Sequence, residues 1–256
     1  MKVVSSYGVE IKKQNIPIRH TLYIYRQAVG YLIRVYEESW EELSWIVNLQ
    51  KRFNAAEHLV HSTKKNRARY DFDQKFPKMP SYLRRSAIQQ ALGSVSSYET
   101  RLELWKQKKL DGKPKLVYEN HAMPVFYRDV MYREGAEGKD EAYLKLYDGH
   151  DWKWFCVRLE HTDMEYLRKN WSGVKASAPT LEKRHQKYFL RFSYTEEVTL
   201  SKADVKDQTV CSVDLGINTD AVCTIMRADG KRCTIVPGTS SRRFCSPSMK
   251  RAQTWT

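Results

Sequence analysis

The sequence predicts an α+β protein in which a β module is interrupted by a helical insert and followed by a short antiparallel meander. Three observations predict it. Apolar residues alternate with polar ones at the start of the chain and again across 115–200. Between those regions they fall three or four apart, the period of amphipathic helices. Finally, VCSVDLGINTDAVCTIMRADGKRCTIV, residues 210–236, reads as three short strands joined by tight turns.

Residues 3–12, VVSSYGVEIK, are predicted as an opening strand. After Pro17, the residues Leu22, Tyr25, Val29, Leu32, Ile33 and Tyr36 mark a helix running to about residue 40. A second helix is predicted over 42–61, with Trp45, Leu49, Phe53 and Leu59 on its apolar side. The basic run KKNRARYDFDQKFPKMP, 64–80, breaks the periodicity and reads as a loop closed by two prolines. Ser81 is placed as the N-cap of a long helix whose apolar side holds Ala87, Ile88, Ala91, Leu92, Val95, Tyr98, Leu102 and Trp105. Gly112 and Pro114 end the helical half. Strands are then predicted at 123–132, 142–148, 151–159 and 187–195, with a short helix near 162–170. In the last of these strands Tyr188, Leu190, Phe192 and Tyr194 share one face, as a half-buried sheet requires. The expected domains are 1–14 with 115–207 for the β module, 15–114 for the helical insert, and 208–256 for the final unit.

A formal net charge of +14 argues against an ordinary metabolic enzyme. It favours a polyanionic partner, nucleic acid before an anionic membrane, with a merely basic soluble protein as the alternative. No apolar run approaches the roughly 18 residues of a membrane span, and MKVVSSYGVEIKK lacks the pattern of a secretory signal. The five cysteines include no C-x-x-C pair, so neither a disulfide framework nor a zinc knuckle is predicted. Thiols in strands are expected to behave as small hydrophobes, and a reducing cytoplasm fits them. His58 and His61 read as ordinary helix-face histidines, and Trp152 with Trp154 as a packing pair.

Asp214 raises a chemical question, because it lies inside the first strand of the meander. Burying an unpaired carboxylate costs several kcal/mol unless a cation or hydrogen-bond donors satisfy it. A divalent metal is one resolution, since hard oxygen ligands hold Mg²⁺ through carboxylates, and paired ions about 4 Å apart cleave phosphodiesters. An Asp hydrogen-bonded to the following turn is the other. The local pattern leaves both open.

The segment VDLGIN, followed by Ala-Val and an Asp-Gly hairpin, resembles the first RuvC motif of TnpB (OrfB-type) proteins, transposon-encoded RNA-guided DNA endonucleases related to type V CRISPR effectors. YGVEI…IPIRHTLYIYRQAV resembles their opening strand and first helix, MPSYLRRSAIQQALGSVSSYETRLELW their later recognition helix, and KYFLRFSY their last wedge-domain strand. The resemblance implies a β-barrel-like wedge domain interrupted by a helical recognition lobe, followed by an incomplete RNase H-like (RuvC) domain. It implies a transposon-derived guide RNA and target DNA as partners, Mg²⁺ as the cofactor, and Asp214 as the first of three catalytic, metal-binding acids. After Asp214 the only acids are Asp220 and Asp229, both in predicted turns, and the family's four-cysteine zinc finger has no counterpart. One carboxylate cannot fix two ions, so the expectation is an incomplete chain that binds nucleic acid without cutting it. The alternatives are a nuclease-dead RNA-guided DNA-binding protein and, third, a sugar-kinase/actin-type ATPase, whose phosphate loop also carries an Asp-x-Gly turn.

Lys64, Lys65, Arg67 and Arg69 cluster beside Tyr70, while Arg84 and Arg85 open the long helix. Such cations neutralise phosphates and an adjacent ring stacks on a base, which makes these residues the nucleic-acid-binding candidates. A solvated charged loop is the competing reading.

Overall fold

The computed structural model describes residues 2–12, 16–118, 122–136, 138–198, 209–214, 222–227, 232–235 and 244–245. Two compact units emerge, Lys2–Glu197 and Val198–Thr256. The first is mixed α and β around an antiparallel sheet.

Strand β1 (Lys2–Lys12) leads into helix α1 (Ile16–Glu38). The six apolar positions predicted for α1 are all buried, alongside Ile18, Ala28 and Val35. That stripe meets helix α5 (Ser81–Lys106), where Ala87, Ile88, Ala91 and Val95 are fully buried. Small alanines on α5 let the two backbones approach, so the larger side chains of α1 fill the seam. Polar groups inside it are matched: Tyr25 Oη donates to Gln90 Oε1 at 3.0 Å and lies 3.0 Å from Ser86 Oγ. Burial pushes the Tyr25 phenol well above its ordinary value, which keeps it a neutral donor.

The connection between α1 and α5 departs from expectation. Instead of one helix over 42–61 there are two, α2 (Trp40–Ser44) and α3 (Leu49–Val60). Asn48 caps α3 by accepting from Lys51 N at 3.0 Å. The helix must break here, so Trp45 and Leu49 are 81% and 77% exposed rather than on an apolar side. The predicted loop 64–80 contains a further turn of helix, α4 (Phe72–Lys75), capped by Asp71. Phe72, Phe76 and Met79 are buried, so the segment anchors itself in the core despite its charge. Ser81 is the first residue of α5, not its cap; Pro80 holds the N-cap position with no side-chain hydrogen bond.

The remaining strands are β2 (Tyr132–Glu134), β3 (Glu141–Tyr147), β4 (Trp152–Leu159), β5 (Thr180–Arg184) and β6 (Lys187–Glu197), with helix α6 (His161–Asn170) after β4. They form a sheet in the order β2-β3-β4-β1-β6-β5. β1 runs antiparallel to β6 from Lys2↔Glu197 to Glu10↔Phe189, then pairs with β4 at Ile11↔Leu159. The predicted strand 123–132 is a correction. Only Tyr132 belongs to a strand, because Pro124 has no N–H and the segment cannot hold a full ladder. Instead Phe126 N donates to Pro179 O and Leu181 N to Pro124 O, beside β5, before the chain turns into β2. One segment therefore links the two edge strands. β5 had no alternation to reveal it, since three of its five residues, Glu182, Lys183 and Arg184, are charged.

The second unit holds β7 (Val210–Asp214), β8 (Val222–Met226), β9 (Arg232–Ile235) and β10 (Phe244–Cys245), an antiparallel sheet in the order β10-β9-β8-β7. The three predicted strands are present and a fourth joins them. β7 is an edge strand whose described side chains, Val210 to Val213, are all exposed. The side chain of Asp214, the acid singled out by the sequence, lies outside the described residues. Cys156 and Cys211 are exposed rather than packed as hydrophobes, and the Cys211 and Cys223 thiols lie 3.2 Å apart.

Asp140 joins α6 to the turn before β3. Burial alone would raise its carboxyl, but His161, with Nδ1 at 2.6 Å, and Arg168 hold it below the ordinary carboxylate value. A depressed folded value gives stability that is complete above the unfolded value, about 3.9, and is lost as pH falls through the folded one. Asp140→Asn should cost about 1 kcal/mol near neutrality, and urea titrations at decreasing pH should show the gap from wild type closing in acid.

Candidate nucleic-acid interface

Helices α3 and α5 lie side by side, and their outward faces bound a groove of about 540 Å³. Arg52 helps set its shape: Nε donates to Ile46 O at 2.9 Å and a terminal nitrogen to Ser44 O at 3.3 Å, which braces the turn between α2 and α3. Phe53 and Leu49 form one wall. The other carries Arg85, whose guanidinium carbon stands 5.3 Å above the Phe53 ring. Tyr82 and Tyr127 close one end, with ring centroids 5.1 Å apart. Gly93 lines the α5 side, where an added Cβ would meet no atom within 4 Å. A smaller hollow of about 310 Å³ shares Tyr82 and Arg85 and extends to His58, His61 and Thr63.

The predicted binding residues divide into three groups. Lys64, Lys65 and Arg67 are exposed on the tip that follows α3, and none forms an ion pair among the described residues. The tip is well formed: Thr63 N donates to Asn66 O at 2.7 Å, and Asn66 Nδ2 ties it to His58 O at 2.8 Å. Arg69 is also exposed, but it grips both oxygens of Glu42, at 2.7 and 3.2 Å. The hydrogen bond raises the guanidinium and lowers the carboxyl from their ordinary values. Tyr70 is half-buried and donates to Glu38 Oε2 at 3.3 Å.

Arg84 and Arg85, adjacent in sequence, have opposite fates. Arg84 is 8% exposed, donates to Asp73 Oδ1 at 3.2 Å and lies 3.8 Å from Glu57. Asp73 also meets His61 Nδ1 at 2.6 Å, so the group ties α3, α4 and α5 together. Arg85 is exposed, 3.9 Å from Glu57, and faces the groove. Both line the small hollow near the basic tip, so the structure brings the α5 pair close to the turn that begins at Thr63.

Arg52, Phe53, Tyr82 and Tyr127 were not among the predicted binding residues. Their signal was present in the basic-aromatic triplet Lys51-Arg52-Phe53 and in Tyr82, two residues after Pro80, but only the pairing of α3 with α5 makes them one surface.

Asp214 is the last residue of β7 and pairs across the ladder with Val222. Among the described residues no group of three or more His, Cys, Asp or Glu is placed to hold a metal ion. The two-ion chemistry implied by the resemblance needs more carboxylates than this strand position supplies. The described residues therefore do not compose that site. Nor is any helix of the described residues long and apolar enough to cross a membrane.

A family model covers residues 5–148, more than half of the chain, and the chain belongs to the Aq_aa04 family. No curated protein matches it. The matched stretch runs from β1 to the end of β3 and includes the whole α3–α5 groove.

The two arginines give a direct comparison. Arg84→Ala should cost about 1–3 kcal/mol, because Asp73 loses a buried donor. Arg85→Ala should stay within about 0.5 kcal/mol of wild type. Denaturant midpoints of the two variants measure the difference.

Proposed function

We propose that this member of the Aq_aa04 family binds nucleic acid along the α3–α5 groove and its basic tip, as an RNA-guided DNA-binding protein of the TnpB type. The observation that carries the reading is the groove itself: Phe53, Tyr82 and Tyr127 stand beside Arg52 and Arg85, close to the tip bearing Lys64, Lys65 and Arg67. Guanidinium and ammonium groups neutralise phosphates, while exposed ring faces accept unpaired bases whatever their sequence. A chain of net charge +14 adds long-range attraction for a polyanion.

The finer parts of the reading follow the resemblance. The antiparallel sheet, with one segment linking its edges, supports a barrel-like wedge domain, and α1–α5 correspond to the recognition lobe set into it. The sheet of β7–β10 corresponds to the opening of a RuvC-like nuclease domain, with Asp214 as its first acid. The partners are then a transposon-derived guide RNA and target DNA. In the complete family nuclease magnesium would supply the activated water for hydrolysis; here Asp214 corresponds to only the first of its three ligand acids, so this chain is expected to bind without cutting. The residues of the groove and tip bind and position the nucleic acid.

Fluorescence anisotropy with the RNA that co-purifies with the expressed chain tests this. Replacing Lys64, Lys65 and Arg67 together by Ala should flatten the dependence of log affinity on log salt by about 2, at roughly 0.7 per phosphate contact on a single strand. Tyr82→Ala should weaken binding by about 1 kcal/mol or more through lost stacking. Asp214→Ala should leave RNA affinity unchanged. An unaltered salt slope in the triple variant, or no co-purifying RNA, would overturn the reading. Binding of guided DNA in Mg²⁺ without cleavage would select the non-cutting form of it.

A further inference from the structure

From a second cleft, on the face of α1 opposite its core stripe, we infer a binding site for a single nucleotide unit, a flat base with its phosphate. His20, Tyr23, Gln27, Tyr31 and Arg34 are spaced three or four apart and line a pocket of about 400 Å³, within the range of small-ligand sites. An outward helix face ordinarily carries a mixture of solvated Lys and Glu. This one carries rings and cations.

The aromatic walls are preformed. Tyr31 lies 5.9 Å from Phe76 and 6.2 Å from Phe72, centroid to centroid, so its ring is held by the core while one side faces the cleft. Tyr23 is 67% exposed and stands on the same helix face two turns earlier. Lys75, from α4, places its ammonium 4.7 Å above the Tyr31 ring. Arg34 lies with its guanidinium carbon 5.3 Å from the Tyr118 centroid. Neither Lys75 nor Arg34 forms an ion pair among the described residues, and none of the described lining residues is acidic. Burial is the main cause that raises the Tyr31 phenol, with Asp71 and Glu38 adding to it from outside the pocket lining. The rim at the β3–β4 hairpin is fixed by Tyr147 Oη, which donates to Gly149 O at 2.8 Å. Gly149 has φ +108°, a conformation costly for other residues.

Two cations with no carboxylate partner among the described residues, set beside an aromatic cleft, select an anion attached to a flat ring. The phosphate meets Arg34 and Lys75, the base lies against Tyr23 and Tyr31, and the Gln27 amide is available to the base edge. The ligand could be a free nucleotide or one residue of a strand. The inference does not rest on the α3–α5 groove, which is a separate surface with separate residues.

Calorimetric titration of the full chain with nucleoside monophosphates, the matching nucleosides, and short 5′-phosphorylated oligonucleotides tests it. Monophosphates should bind at least about tenfold more tightly than nucleosides, the share of one charge-assisted contact. Arg34→Gln with Lys75→Gln should erase that preference. Tyr23→Ala, at an exposed position that leaves folding intact, should weaken monophosphate and nucleoside alike. Lys106→Gln, an exposed change at the end of α5 away from both surfaces, should change neither. Tighter oligonucleotide binding that is weakened in the Arg34/Lys75 double variant would make the ligand a strand residue, and equal or weaker binding a free nucleotide. The site is refuted if neither phosphorylated ligand binds, or if whichever binds does so equally well to the Arg34/Lys75 double variant and to wild type.

Discussion

The pairing of β1 with β6 holds the first unit together. Val3 meets Glu196 and Val9 meets Leu190 across a ladder whose two strands come from opposite ends of the unit. Closing so long a loop is entropically costly, yet the cost grows only slowly with length, and a ladder of nine residue pairs on a buried face offsets it. Because β1 continues onto β4 at Ile11, it also joins the β6–β5 side of the sheet to the β4–β3–β2 side. All five helices from α1 to α5 are inserted between β1 and the strands it pairs with. Their positions depend on that closure.

Within the insert, the seam between α1 and α5 gives each helix one committed face and one face for other work. On α5 the first turns carry Arg84 inward to Asp73 and Arg85 outward to the groove. On α1 the core stripe and the ring-and-cation stripe lie on opposite sides of the helix. A charged residue contributes to the fold in one case and to an open surface in the other: Arg84 is buried and donates to Asp73, while Arg85 stays exposed at 3.9 Å from Glu57. Among the described residues the lining of the α1 cleft has no carboxylate. Net charge alone does not predict where the positive surface lies.

Legibility in the sequence followed the strength of local periodicity. All six apolar residues expected of α1, and all four on one face of β6, are buried, because each stripe is continuous and unmixed. Elements failed where local chemistry competed with the pattern. Trp45 and Leu49 kept helical spacing, but the Asn48 cap and the Arg52 brace start a new helix between them and leave both exposed. The run 64–80 was basic enough to look like a solvated loop, yet Phe72 and Phe76 pull it into the core. Segment 123–132 had strand composition, but its partner, β5, had a composition that no alternation could reveal. The groove was half visible: its cations were apparent, while its rings lay on elements whose adjacency is a tertiary fact.

By itself the sequence determined the class of the fold, the strongly amphipathic helices, the hairpin order of the last strands and an excess of positive charge. These are properties of spacing and composition, and short-range forces act on them directly. The tertiary structure alone decided which arginine is buried, which rings share a groove, and that α1 presents a second, acid-free cleft to solvent. Each of those depends on which residues far apart in the chain become neighbours. That outcome is set by the closure of β1 on β6 and by the packing of α1 on α5, and it cannot be read from any one segment.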